Sequence, residues 1–314
     1  MSILSERVKS IKPSPTLAMV AKAKEMKQQG IDVIDLSGGE PDFPTPALAC
    51  EAAYQAMKNG QTKYTAVDGI PALKQAIIHK FERDNHLSYE PDEIIASTGA
   101  KQVILNALLA TLNPGDEVII PAAYWVSYPD MVLLAQGDPV IVIGKEENHF
   151  KMTPQHLENT ITEKTKWLIL NSPNNPTGAV YTKEELLGLA KVLRNYPHVW
   201  VISDDIYDHI IFDHLEFHTL ASLAPDLKPR ILTVNGVSKS YAMTGWRLGY
   251  GAGNRELIKA MANIQSQSTS NPCSITQAAA VAVMEGDQSY IQEWVKEYQR
   301  RRDDFIAGLN QLPS

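Results

Sequence analysis

One lysine in this chain sits where lysines seldom do. Lys239 lies between Ser238 and Ser240, just past the apolar run Ile231–Val234, and Arg247 follows after Thr244, Gly245 and Trp246. A lysine at a strand end ordinarily snorkels its ammonium into water. Beside phosphate-binding donors it can instead be an amine nucleophile of lowered pKa that forms a Schiff base with a carbonyl. Arg247 brings a planar fork that matches a phosphate bidentately. Asp204 and Tyr207 follow another apolar run, Trp200–Ser203. A carboxylate there is either a solvated strand terminus or a partner for a protonated pyridine nitrogen.

Two further segments bear on the same chemistry. Asn171–Gly178, NSPNNPTG, follows the run Trp167–Leu170. Its prolines and glycine shape a turn, and its asparagines present amides at fixed geometry or close an Asx turn with no ligand. Ser97–Lys101, STGAK, joins a predicted strand to a predicted helix, where free backbone N–H groups attract anions. Taken alone, a tight βα turn accounts for it better. Taken together, a Schiff-base amine, a pyridinium partner, a phosphate fork and an anion-binding helix end are the equipment for pyridoxal phosphate. Competing motifs are missing: STGAK lacks Walker spacing, Gly249–Gly253 is not GxGxxG, and no HExxH occurs. His209, His214 and His218 read as a solvated loop rather than a metal site.

These side chains need a scaffold. Thr16–Gln29 is predicted as a helix closed by Gly30, and Thr45-Pro46 as the capped start of another that ends at Gly60. From residue 93 short apolar runs alternate with helical segments. The runs are 93–98, 116–121, 139–144, 167–173, 199–207 and 230–236. The helices are 101–112, 124–136, one opened by Thr153-Pro154, and 182–196 with a Thr182/Glu185 capping box. The pattern predicts an α/β fold with a mostly parallel sheet between helices. Ligands bind such sheets at the carboxyl ends of the strands, and each polar motif above falls at or just after one. Residues 288–309 read as a long amphipathic helix with Ile291, Trp294, Val295 and Tyr298 on one face.

Composition bounds the partners. Of 314 residues, 44% are hydrophobic and 21% charged, as in an ordinary globular chain, and the net charge of -7 leaves no basic excess for nucleic acid. Cys50 and Cys273 form no disulfide or zinc pattern and fit a reducing compartment. The N-terminal residues do not read as a signal peptide, and no apolar run approaches the roughly 20 residues of a membrane span. A cytoplasmic protein is expected.

The motifs GGEPDF (38–43), KYT..DGIPALK (63–74), AAYWVSYP (122–129), NSPNNPTGAVY (171–181), SDDIY (203–207) and SKSYAMTGWRLGY (238–250) occur in one order. In them the chain resembles the fold-type I, class I pyridoxal-phosphate aminotransferases, specifically the bacterial aspartate aminotransferase subgroup. The likeness runs from about Leu36 to the end. It implies a pyridoxal 5'-phosphate enzyme with Lys239 as the Schiff-base lysine and proton shuttle, and Asp204 on the pyridine nitrogen. Tyr207 and Asn175 would bond the ring's phenolic oxygen, and Trp125 would stack on the ring. The phosphate would rest on Ala100, Lys101, Ser238, Arg247 and Tyr64 of a neighbouring subunit in a homodimer. Gly39 would meet the substrate α-carboxylate, Lys101 and Thr16 the distal carboxylate of acidic substrates, and Lys12 is linked with prephenate.

The implied reaction is ping-pong amino transfer between amino acids and 2-oxo acids, from L-aspartate to 2-oxoglutarate. The alternatives are a prephenate or aromatic aminotransferase and, in another class, a non-catalytic cofactor-binding fragment. The expected organisation is an N-terminal arm with part of a small domain (1–45), a large cofactor domain (46–287), and a linking helix opening an incomplete small domain (288–314). Two departures stand out: Asp205 replaces the family's commoner glutamate, and Gly236 stands where some relatives have a phosphate-binding serine. The family's α-carboxylate arginine has no counterpart before Ser314, so cofactor binding is expected to survive better than turnover.

Overall fold

A computed structural model describes residues 3–13 and 15–312. Seven strands pair into one sheet: β1 (Ile94–Ser97), β2 (Glu117–Ala122), β3 (Asp138–Ile143), β4 (Thr165–Asn171), β5 (Trp200–Asp204), β6 (Ile231–Gly236) and β7 (Gly249–Ala252). Their order is β1-β7-β6-β5-β4-β2-β3, and β7 alone runs antiparallel to its neighbours β1 and β6. The helices ahead of and among the first strands are α1 (Glu6–Lys9), α2 (Pro15–Gln28), α3 (Ala47–Lys58), α4 (Pro71–Asn85), α5 (Ala100–Thr111), α6 (Ser127–Leu134) and α7 (Pro154–Thr160). Then follow α8 (Lys183–Arg194), α9 (Leu220–Leu223), α10 (Arg255–Ser266), α11 (Ser274–Glu285) and α12 (Ser289–Leu309).

Strand alternation splits the apolar residues between two faces. Ile95, Val118, Ile120, Trp167, Ile169 and Ile202 pack with α5, α6 and α10 in one core. Ile94, Ile119, Leu168, Leu170, Val201 and Ile231 pack with α3, α4, α8 and α11 in the other. Burial on both faces is why these strands read as continuous apolar runs.

Several elements differ from expectation. The helix predicted over 124–136 begins only at Ser127, because Tyr124 and Trp125 fold into the loop off β2 and pack against the core shared with α5, α6 and α10. Thr45 does not cap α3, whose N-cap Pro46 makes no side-chain bond. Its hydroxyl donates to the Ala242 carbonyl at 3.1 Å and accepts from Trp246 Nε1 at 3.0 Å, tying the N-terminal segment to the loop after Lys239. The capping box of α8 forms as predicted. Helices α4, α10 and α11 and strand β7 were not foreseen.

Glycine hides β7 from a propensity reading and is what its place demands. A Cβ on Gly249 would lie 2.1 Å from the Ala100 nitrogen, so only glycine lets the start of α5 press against this edge. On α12, Ile291 and Val295 are buried. Trp294 stacks on Phe43 at 4.8 Å, and Arg301 grips both oxygens of Asp42 at 2.8 and 2.9 Å. That helix therefore pins the segment running past Gly39 and Glu40.

Candidate active site

The strand register gathers the motifs at one sheet edge. Asn171 at the end of β4 stands beside Asp204 at the end of β5, and Gly236 at the end of β6 beside Gly249 at the start of β7. Because β7 is antiparallel, Arg247 enters it at the edge that Lys239 leaves. They open onto a cleft of about 690 Å³. Its walls include Lys239, Asp204, Tyr207, Asn175, Trp125 and Ser238, together with Arg247, Ala100, Lys101, Gly39 and Thr16. Two expected residues lie elsewhere. Lys12 is exposed outside the cleft, its backbone N–H donating to Asp130 at 3.4 Å, and Tyr64 stands 92% exposed.

Burial sets the charges on the floor. Asp204 is pushed up to about 6 by desolvation, against which the Tyr128 hydroxyl donates to its Oδ2 at 2.6 Å and the Ile206 N–H to its Oδ1 at 3.4 Å. Burial, with the nearby Asp204 charge, also pushes Tyr207 up to about 12. Asn175 Nδ2 reaches the Tyr207 oxygen at 3.4 Å, while the Asn175 N–H donates to Asn171 Oδ1 at 2.8 Å and the Asn171 amide to the Asp204 carbonyl at 2.8 Å. The turn after β4 is thus stitched to the end of β5.

Lys239 donates to the Gly39 carbonyl at 2.8 Å and lies 5.7 Å from the Tyr207 ring centroid. Desolvation lowers its pKa; the Glu40 carboxylate opposes the shift and Arg247 adds to it. Nearby, α5 presents an anion-binding end: the Ala100 and Lys101 N–H groups open the helix with no intrahelical acceptor. Gly99 holds φ +90, and a Cβ there would lie 2.6 Å from Arg247 Nη2, so the guanidinium rests against bare backbone. Arg247 Nη1 donates to the Thr244 carbonyl at 2.8 Å. The Lys101 ammonium lies 4.7 Å from the Trp125 ring centroid.

Sequence reasoning missed four contributors. Tyr128 and the side chain of Asn171 orient the floor, Gly99 admits Arg247, and Glu40 accepts from the Thr244 hydroxyl within the cleft. Each lies inside a motif named from the sequence (AAYWVSYP, NSPNNPTG, STGAK and GGEPDF), but spacing alone gives no sign of its role in the cleft.

These groups fit pyridoxal phosphate. Its phosphate matches the open end of α5 beside a guanidinium, its pyridine nitrogen a buried carboxyl, and its aldehyde an amine held at lowered pKa. A mostly parallel seven-stranded sheet with that donor set along its carboxyl edge defines a fold-type I pyridoxal-phosphate enzyme. The sequence places it more narrowly. Residues 31–313 match the family described as aminotransferase class I and II, and the chain belongs to that family. It is 62% identical over 312 residues to a probable aspartate/prephenate aminotransferase of Rickettsia felis, covering 99% of this chain and 76% of that protein. The solved aspartate aminotransferase from Rhizobium meliloti superposes with a TM-score of 0.96 at 51% identity, covering 99% of this chain and 78% of that one. The Thermus thermophilus enzyme with maleate gives 0.95 at 44%, covering 99% and 81%.

Proposed function

We propose that this aminotransferase moves the amino group of L-aspartate to 2-oxoglutarate, with Lys239 as the catalytic amine and Asp204 as the group that keeps the cofactor's pyridine nitrogen protonated. The observation that carries the reading is the convergence of these two side chains on one cleft beside the open end of α5. When bound, the cofactor supplies an electron sink for the carbanion formed at the substrate α-carbon. The α5 N–H groups, Ser238 and the Arg247 fork would hold its phosphate, Tyr207 and Asn175 would bond its phenolic oxygen, and Trp125 would lie against the ring. Lys239 takes the α-proton at Nζ and returns it; lowered pKa keeps more of that amine free near neutrality.

Gly39 leaves its backbone open to the substrate α-carboxylate, while Lys101 and Thr16 stand in the same cleft to meet the distal carboxylate. Prephenate is a second substrate reading, favoured by the Rickettsia relative's name; Lys12 would take part from outside the cleft wall. The exposed Tyr64 supports a homodimer in which that hydroxyl completes the partner's phosphate site. Two free cysteines support a reducing, cytoplasmic setting.

The test is spectroscopic. Protein incubated with pyridoxal phosphate and desalted should keep a visible band that aspartate converts to the amine form. Lys239→Ala should lose the covalent band and fall in turnover by more than about 10³-fold. A variant that keeps full turnover removes Lys239 from its role. Rates with aspartate, prephenate and phenylpyruvate rank the substrates.

A further inference from the structure

The turn leaving β5 has two sides. Asp204 and Tyr207 line the cleft, whereas Asp205 and Asp208 are buried behind it, in a turn where the Asp208 N–H donates to the Asp205 carbonyl at 3.0 Å. Asp208 Oδ2 accepts from the Lys80 ammonium of α4 and from Asn235 Nδ2 at 2.9 Å. The same Asn235 amide donates to the Asp205 carbonyl at 3.0 Å, and Asn235 Oδ1 accepts from the Gly236 N–H at 2.7 Å. Lys80 also donates to Asn85 Oδ1 at 2.7 Å and is 1% exposed. Asn235 belongs to β6, the strand that leads to Lys239. One cluster therefore bonds the exits of both strands that carry the proposed chemistry.

Stability does not explain its composition. Desolvation costs several kcal/mol per buried ion, and a packed apolar pair of the same volume is often as stable. More charge faces it: Asp84 lies 3.9 Å from Lys80, and His209 lies 3.1 Å from Asp84 and 4.0 Å from Asp208. Arg83 pairs with Asp84, and Asp205, pushed up to about 8 by burial, accepts from the Ser203 hydroxyl at 2.7 Å. The hydroxyls of Tyr241 and Tyr250 are buried nearby with no acceptor or donor of their own. His209 is thus bonded and partly buried rather than in a solvated loop.

We infer that Lys80, Asp208 and Asn235 are positioning residues that lock the β5 and β6 exits together, so that Tyr207 and Lys239 hold their spacing across the cleft. What the geometry sets is the relation of a phenol to an amine, so the readout is the pH midpoint of the loaded protein's visible band. That midpoint reports protonation of the lysine–cofactor linkage. The inference rests on the roles of Tyr207 and Lys239 proposed above, and Tyr207→Phe separates the two: if it leaves the midpoint unmoved, those roles fail.

The decisive variant is the double substitution Lys80→Met with Asp208→Asn, which removes both charges and keeps bulk. Its unfolding midpoint should stay near the parent's, its absorbance midpoint should move by about half a pH unit or more, and kcat should fall about 10-fold or more at little-changed KM. Asn235→Ser keeps both charges, is read the same way, and decides the matter if the double variant does not fold. With Tyr207→Phe shifting the band, an unshifted midpoint and parental kcat in the folded variant overturn the positioning role.

Discussion

Asp204 shows what one buried carboxyl does to both chemistry and stability. Its pKa stands at about 6 against an ordinary 3.8. Without cofactor, the folded chain binds this proton more tightly than the unfolded chain. The contribution to stability is therefore full below about pH 4 and lost as the pH rises through 6. About two pH units correspond to on the order of 3 kcal/mol. An asparagine cannot ionise, so cofactor-free Asp204→Asn should unfold at higher urea than the parent at pH 8, with the advantage shrinking toward pH 4. A bound pyridinium favours the charged carboxylate, so loading the cofactor should shrink or reverse the gap. Turnover should drop about 10²–10³-fold. Equal urea midpoints at pH 8 without cofactor would contradict the buried-carboxyl account, and parental turnover the catalytic one. Asp204 and Tyr207 were legible in sequence because both types end an apolar run. The role of Tyr128 was not, because its contact with Asp204 crosses from α6 to β5.

At the scale of elements, the entry to α5 depends on glycine twice. Gly249 admits the helix start to the sheet edge, and Gly99, at φ +90, leaves room for the Arg247 guanidinium. Gly99→Ala combines backbone strain of about 1–3 kcal/mol with a displaced fork, so affinity for pyridoxal phosphate should fall about 10-fold or more. Gly30→Ala is the matched control: φ is +79, and nothing lies within 4 Å of the new Cβ. It should lose stability and keep cofactor affinity. Equilibrium binding followed by absorbance on both variants checks this, and equal affinities would detach Gly99 from the phosphate site. Parallel strands were readable as apolar runs because both faces are covered. β7 was not, because close packing demands glycine at 249 and 251, and the late start of α6 was set by where Tyr124 and Trp125 pack.

At the scale of the whole molecule, the proposed homodimer can be tested directly. If Tyr64 completes a neighbour's site, Tyr64→Ala and Lys239→Ala damage opposite subunits of a symmetric dimer. Mixed one-to-one and allowed to exchange, the two impaired proteins should regain roughly a quarter of parental activity at limiting cofactor, because half the dimers carry one intact site. No recovery after exchange, verified by mass spectrometry of the hybrid, would contradict the shared site. Residue order alone determined the α/β class, the cofactor and most of the cleft, since strand ends, Lys239, Asp204, the NSPNNPTG turn and STGAK are local patterns that report where a parallel sheet exposes its edge. Only the tertiary structure decided that β7 runs backwards and delivers Arg247 to that edge, and that α12 pins Asp42 and Phe43 beside the cleft. It also decided that Lys80 reaches Asp208 behind the turn. Such contacts join residues far apart in the chain, and their energies come from burial and mutual charge, which no local spacing records.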